Sequence, residues 1–145
     1  MNAKTTRRFF SRETEVSIDI HASAETVWAL LTGAAAYPSW CSTVLSIDGD
    51  IALGRRIVLR STLDPKRAFK LTVREFQPPT RLVWGDAMGQ RTYDVTPMGA
   101  GQVRFSMREK IGGPFFPLFA RMIPSFDESF ERFAADLKRR AESGN

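Results

Sequence analysis

Three charged residues that strand alternation places among apolar neighbours are where this chain could do chemistry. Asp86, Arg91 and Glu109 belong to strand-like segments at 81–87, 90–97 and 102–111, separated by the turn sequences Met88-Gly89 and Gly99-Ala100-Gly101. A two-residue loop at Met88-Gly89 would pair Asp86 with Arg91, Trp84 with Tyr93 and Leu82 with Val95. A three-residue loop at Gly99-Ala100-Gly101 would pair Arg91 with Glu109, Tyr93 with Met107 and Val95 with Phe105. Both registers keep apolar residues opposite apolar ones. They set Asp86, Arg91 and Glu109 in one transverse row, beside a row of Trp84, Tyr93 and Met107.

Two readings of that row stand. Charges on an apolar wall are costly unless paired or hydrated, so the row could be a salt-bridged sheet end that reaches water past the loops. Alternatively, it is the polar end of a ligand cavity with otherwise hydrophobic walls. In that case Arg91 anchors a carboxylate, enolate or phenolate oxygen, Tyr93 donates a hydrogen bond, and Asp86 or Glu109 orients the arginine. Phe119, Met122 and Phe126 would close the cavity from the C-terminal side, and Met88, Met107 and Met122 supply adaptable lining.

Other chemistries are excluded by inventory. One histidine and one cysteine cannot build a multi-His or multi-Cys metal site, so no metal and no cofactor is expected. His21 reads as a turn or cap residue, and Cys41 as a small buried hydrophobe. Gly99-Ala100-Gly101 is a hairpin turn and Gly112-Gly113 precedes a proline, so no phosphate-binding loop is present. Arg56, Arg60, Lys70, Arg74, Arg104 and Arg108 fall on the opposite, wet face. With Glu13, Glu15 and Asp19 expected alongside, cross-strand ion pairing explains them better than nucleic acid or an anionic membrane, and no interleaved aromatics suggest single-strand binding.

The elements that position the row fit one domain of 145 residues, with net charge +5 and no apolar run long enough to span a membrane. Residues 1–12 are expected as a loose basic arm. Thr6-Arg7-Arg8-Phe9-Phe10 superficially resembles an export signal, but the charged Ser11-Arg12-Glu13-Thr14-Glu15 follows where such a signal is apolar, so a cytoplasmic protein is expected. Residues 13–20 alternate as a strand with Val16, Ile18 and Ile20 inward, Ser23 caps a helix to Thr32, and Ala34–Trp40 forms a second short helix. Six strands follow at 43–48, 55–63, 67–76, 81–87, 90–97 and 102–111. From Gly113 the chain reads as one long helix, kinked at Pro124, with Ser125 and Glu128 as a capping box. Phe126, Phe130, Phe133, Leu137 and Ala141 share its apolar face. Residues 143–145 are a tail.

This layout, α+β with a curved antiparallel sheet of about seven strands around a C-terminal helix, resembles the SRPBCC superfamily (START, Bet v 1 and polyketide cyclase-like proteins) and its helix-grip fold. The resemblance rests on Ala22-Ser23-Ala24-Glu25-Thr26-Val27-Trp28, on Tyr37-Pro38-Ser39-Trp40, on the hairpin from Val73 to Trp84 through Gln77-Pro78-Pro79-Thr80, and on Asp136 to Glu142. It covers about residues 13–142 and implies binding of a hydrophobic or aromatic small molecule, lipid- or polyketide-like. Polyketide cyclase or dehydratase chemistry, with Asp86, Glu109 and Tyr93 as acid and base, is the second possibility it implies. A protein-interaction role like that of the chaperone-activating branch is the third.

Overall fold

The computed structural model describes residues 1–144. Among them, eight strands form a single antiparallel sheet: β1 (Lys4–Arg7), β2 (Ser11–Ile20), β3 (Val44–Asp48), β4 (Arg56–Ser61), β5 (Phe69–Gln77), β6 (Arg81–Gly85), β7 (Gly89–Gly99) and β8 (Gln102–Gly112), in the spatial order β1-β2-β8-β7-β6-β5-β4-β3. The meander β3 to β8 needs only short turns, and β2 closes it by pairing with β8. The eighth strand comes from the arm expected to be loose. Lys4–Arg7 pairs with Arg12–Glu15, and Thr5 and Ala3 bond to Asp127 and Glu131 of the last helix. The arm is ordered because it finds partners on that helix as well as on β2.

After β2, helix α1 (Ala24–Thr32) begins at Ser23, whose Oγ accepts the Thr26 amide at 3.1 Å. A 3₁₀ turn at Ala34–Ala36 leads into α2 (Tyr37–Trp40), which buries Tyr37 and Trp40.

The chain after Gly113 is not one helix. A short helix α3 (Phe116–Phe119) and a 3₁₀ turn (Ala120–Met122) precede extended Ile123, and α4 (Asp127–Ser143) then runs to the end of the domain. Pro124 explains the break: it disfavours helical backbone at Ile123, whose φ and ψ are −93° and 120°. Ser125 Oγ accepts the Asp127 amide at 3.3 Å and not that of Glu128, the helix is capped at Phe126, and Glu128 pairs with Arg132 instead of reaching back, so the expected capping box does not form. Because α4 includes Ser143, the expected tail is shorter than three residues, and Asn145 lies outside the described residues.

On its inner side α4 buries Phe130, Phe133, Ala134, Leu137 and Ala141 against the sheet. Phe133 is the centre of an aromatic cluster, with ring centroids 5.5 Å from Trp40, 5.8 Å from Tyr93, 6.1 Å from Phe105 and 6.3 Å from Tyr37. Burying each such ring contributes about 2–3 kcal/mol from area alone. This cluster packs the middle of the molecule solidly.

A buried carboxylate ties α4 to the loop after α2. Asp136 accepts the Ser42 amide at 2.8 Å and the Ser42 hydroxyl at 2.7 Å, and pairs with Arg139 at 2.7 Å. Burial opposes its ionisation, yet the Ser42 hydrogen bonds and Arg139 outweigh it and hold the carboxyl below its ordinary value. A depressed pKa contributes stability above the unfolded value, near pH ~4, and loses it as pH falls through the folded value. Replacing Asp136 with Asn is therefore expected to destabilise the fold by about 1–3 kcal/mol at neutral pH. Urea unfolding at pH 7 and pH 3 should show the gap from wild type shrinking on acidification.

Candidate ligand-binding site

The candidate site depends on two strand registers. Between β7 and β8 the expected pairing holds: Arg91 faces Glu109, Tyr93 faces Met107 and Val95 faces Phe105. Between β6 and β7 it does not, because Trp84 pairs with Arg91 and Leu82 with Tyr93, two positions away from the expected register. The loop is longer than Met88-Gly89. The Asp86 amide donates to the Gly89 carbonyl, and the Asp86 carboxylate accepts the amides of Met88 and Gly89 at 2.9 and 3.0 Å. Gly85 makes the tight return possible, since a Cβ there would lie 2.4 Å from the Gly89 carbonyl oxygen. Asp86 is thus a turn residue at the rim and not a member of the inward row.

Arg91 and Glu109 do form an inward pair. Arg91 Nε donates to Glu109 Oε1 at 2.8 Å, with the two side chains 15% and 18% exposed, and the guanidinium lies 5.0 Å from the Phe130 ring centroid. Arg91 also hydrogen-bonds Tyr93. Burial works against the arginine's charge, but Glu109 and Tyr93 more than offset it and hold its pKa above the usual range. Burial pushes the Tyr93 phenol up and Arg91 only partly restores it, so this hydroxyl stays protonated at neutral pH.

In front of this pair lies a cavity of about 360 Å³. Leu59 from β4, Phe69 and Leu71 from β5, Trp84 from β6 and Ile111 from β8 form its sheet side, while Met122, Ile123, Pro124, Phe126 and Ser129 form the other. Asp64, Arg67 and Asp86 stand around it, with Arg91 and Glu109 as its charged inner residues. The gap exists because the Phe133 cluster does not extend to the start of α4, and because Pro124 ends the helical path of the incoming chain.

Of the residues expected here, Arg91, Glu109, Trp84, Asp86, Met122 and Phe126 line the cavity. Tyr93 and Met107 do not; both are about 1% exposed and sit in the core, with Tyr93 supporting Arg91 from behind. Phe119 packs on Phe116 at 5.9 Å and also stays out of the lining, and Phe115 is exposed, so these rings leave the space open.

Sequence reasoning missed Arg12. Its guanidinium donates to the Ile123 and Pro124 carbonyls at 3.1 and 2.7 Å and lies 4.8 Å from the Phe126 ring centroid, fixing the cavity's outer wall. The signal was available: Arg12 and Thr14 share the inward parity of Val16, Ile18 and Ile20, and both are buried. His21 and Cys41 take no part in the lining; Cys41 is buried beside Thr43, and burial raises its thiol pKa. No group of His, Cys, Asp and Glu side chains among the described residues could hold a metal.

On the wet face, ion pairs join Arg104 to Asp19 at 2.8 Å and Arg108 to Glu13 at 3.7 Å. Arg56, Arg60 and Lys70 have no such pair among the described residues, and Arg74 bonds Gln90 and the Asp86 carbonyl instead.

The sequence profile of the family described as polyketide cyclase / dehydrase and lipid transport matches residues 11–142. The chain belongs to this family. No curated protein sequence matches it. Among similar solved structures, a START superfamily protein from Mycobacterium smegmatis has 16% identity and a TM-score of 0.67, covering 92% of this chain and 99% of that one. A norcoclaurine synthase mutant from Thalictrum flavum, solved with a transition-state analogue, has 12% identity and a TM-score of 0.69, covering 97% and 98%. DynU16, a protein of the dynemicin biosynthetic locus, has 17% identity and a TM-score of 0.67, covering 92% of this chain and 48% of that one. At such identities the likeness concerns the helix-grip fold.

If the Arg91–Glu109 pair is a compensated unit, removing Glu109 alone strands a largely buried guanidinium. Glu109→Ala should cost about 1–3 kcal/mol, and the Arg91→Met, Glu109→Leu double variant less than that single change. A double-mutant cycle by chemical denaturation measures the difference.

Proposed function

We propose that this family member binds a hydrophobic or aromatic small molecule in the cavity between the sheet and the start of α4, with Arg91 contacting an oxygen of the ligand. The observation that carries this reading is the combination of a 360 Å³ space, mostly apolar walls and one guanidinium at the inner end. Arginine has five N–H donors, and Glu109 and Tyr93 occupy only some of them. The remaining capacity suits a carboxylate, enolate, phenolate or carbonyl oxygen. Glu109 and Tyr93 act here by orienting and polarising Arg91, while Phe126, Leu59 and Leu71 supply apolar contact.

Catalysis of the cyclase or dehydratase type finds less support in the same geometry. Asp86 is committed to its turn, Glu109 to Arg91, and the Tyr93 phenol is held away from ionisation. An acid or base poised near neutrality is what such chemistry needs. The family's range agrees with a ligand of polyketide or lipid type.

Two measurements test the proposal. Native mass spectrometry of freshly purified protein should show a co-purified apolar molecule or, after delipidation, uptake of an added one. By calorimetry, an aromatic or aliphatic carboxylate should bind roughly tenfold or more tightly to wild type than to Arg91→Met, a charge-assisted hydrogen bond being lost. Equal affinity for both proteins would remove Arg91 from the site, and absence of any apolar binding would remove the function.

A further inference from the structure

We infer that the end of the molecule around the cavity mouth docks on an anionic lipid surface, with two apolar tips inserting into the headgroup layer. One tip is the β1–β2 hairpin turn, where Phe9 and Phe10 are exposed and stack edge to face. The other is the α3 region, where Phe115 is exposed and Leu118 and Met122 are each 81% exposed. Such side chains are ordinarily the ones a folded chain hides.

The two tips are neighbours by direct contact. The Gly113 amide donates to the Phe10 carbonyl at 3.1 Å, and Arg12, two residues beyond Phe10, bonds the Ile123 and Pro124 carbonyls. Met88, also exposed, is joined to the same place by its carbonyl, which accepts the Gly112 amide. Six large apolar side chains thus crowd one end, and clustering of this kind marks an interaction surface.

Charge decides the partner. Arg7, Arg8, Lys110 and Arg121 are exposed at this end and form no ion pair among the described residues; of the nearby carboxylates Glu109 is neutralised by Arg91, while Asp86, Asp127 and Asp64 keep their charge but, with Arg67 also at the mouth, are outnumbered by the cations. A basic collar around protruding Phe, Leu and Met side chains suits a bilayer carrying anionic headgroups, where cations bind phosphate and apolar tips enter below it. The tips are separate protrusions, not the concave groove that a partner helix would occupy. Met88 and Met122 belong both to this patch and to the cavity lining, so an apolar molecule could pass between bilayer and cavity without crossing open water. The docking itself does not depend on the ligand's identity.

Co-sedimentation with vesicles tests it. The protein should pellet with vesicles of mixed phosphatidylglycerol and phosphatidylcholine, weakly or not at all with phosphatidylcholine alone, and less in high salt. Phe10→Ser and Leu118→Ser should each lower partitioning by about tenfold or more with an unchanged thermal midpoint. Phe10→Trp should retain binding, and the fluorescence that the added indole contributes over wild type should shift to the blue and be quenched by brominated acyl chains. No pelleting with anionic vesicles, or an added indole signal untouched by the brominated lipid, would overturn the inference and leave a protein partner as the occupant of the patch. An unaltered partition of both serine variants would overturn it equally.

Discussion

An arginine on the concave, apolar side of a sheet has to be compensated, and the solution found for Arg91 shapes the functional half of this protein. Glu109 directly across the β7–β8 ladder neutralises it, Tyr93 two residues along the same strand shares its hydrogen bonds, and Phe130 on α4 covers its face. Each partner comes from a regular element. The guanidinium is thereby fixed in position and charge before any ligand arrives, and such preorganisation lowers the cost of binding. Buried ion pairs of this kind do little for stability, so its presence on an otherwise apolar wall points to a use.

The interior has two unlike halves because α4 meets the sheet unevenly. Around Phe133 the rings of Trp40, Tyr93 and Phe105 fill the space to the density of a core. Toward the start of α4, Pro124 breaks the helix, Arg12 holds the extended Ile123–Pro124 backbone from outside, and the wall stands off the sheet. Stability thus resides in the closed half and accessibility in the other. The cavity's outer wall hangs on a few hydrogen bonds to irregular backbone, which is where local opening is least costly.

Much of this was legible in the sequence. Alternation identified inward residues of β2 and of β6 to β8, and the Gly99-Ala100-Gly101 turn set the β7–β8 register and with it the Arg91–Glu109 pair. What failed did so for identifiable physical reasons. The β6–β7 loop was misplaced because an aspartate that bonds its own backbone looks, in a pattern, like one more strand residue; the pairing moved by two, which preserved the face of every side chain and so left no hydrophobic penalty to betray it. Tyr93 was assigned to the cavity surface because periodicity gives a side chain's face but not its depth. Residues 1–12 were misread as loose since their order comes from Thr14, Asp127 and Glu131, contacts with distant parts of the chain that no local pattern contains.

Where an apolar molecule sits in this protein is the question on which the account turns. A crystal structure with a bromine-labelled aromatic carboxylate addresses it most directly. Anomalous density is expected between Leu71 and Phe126, with a carboxylate oxygen within hydrogen-bonding distance of the Arg91 guanidinium. Density elsewhere, or a cavity closed by Met122 and Phe126 with Arg91 untouched, would contradict it.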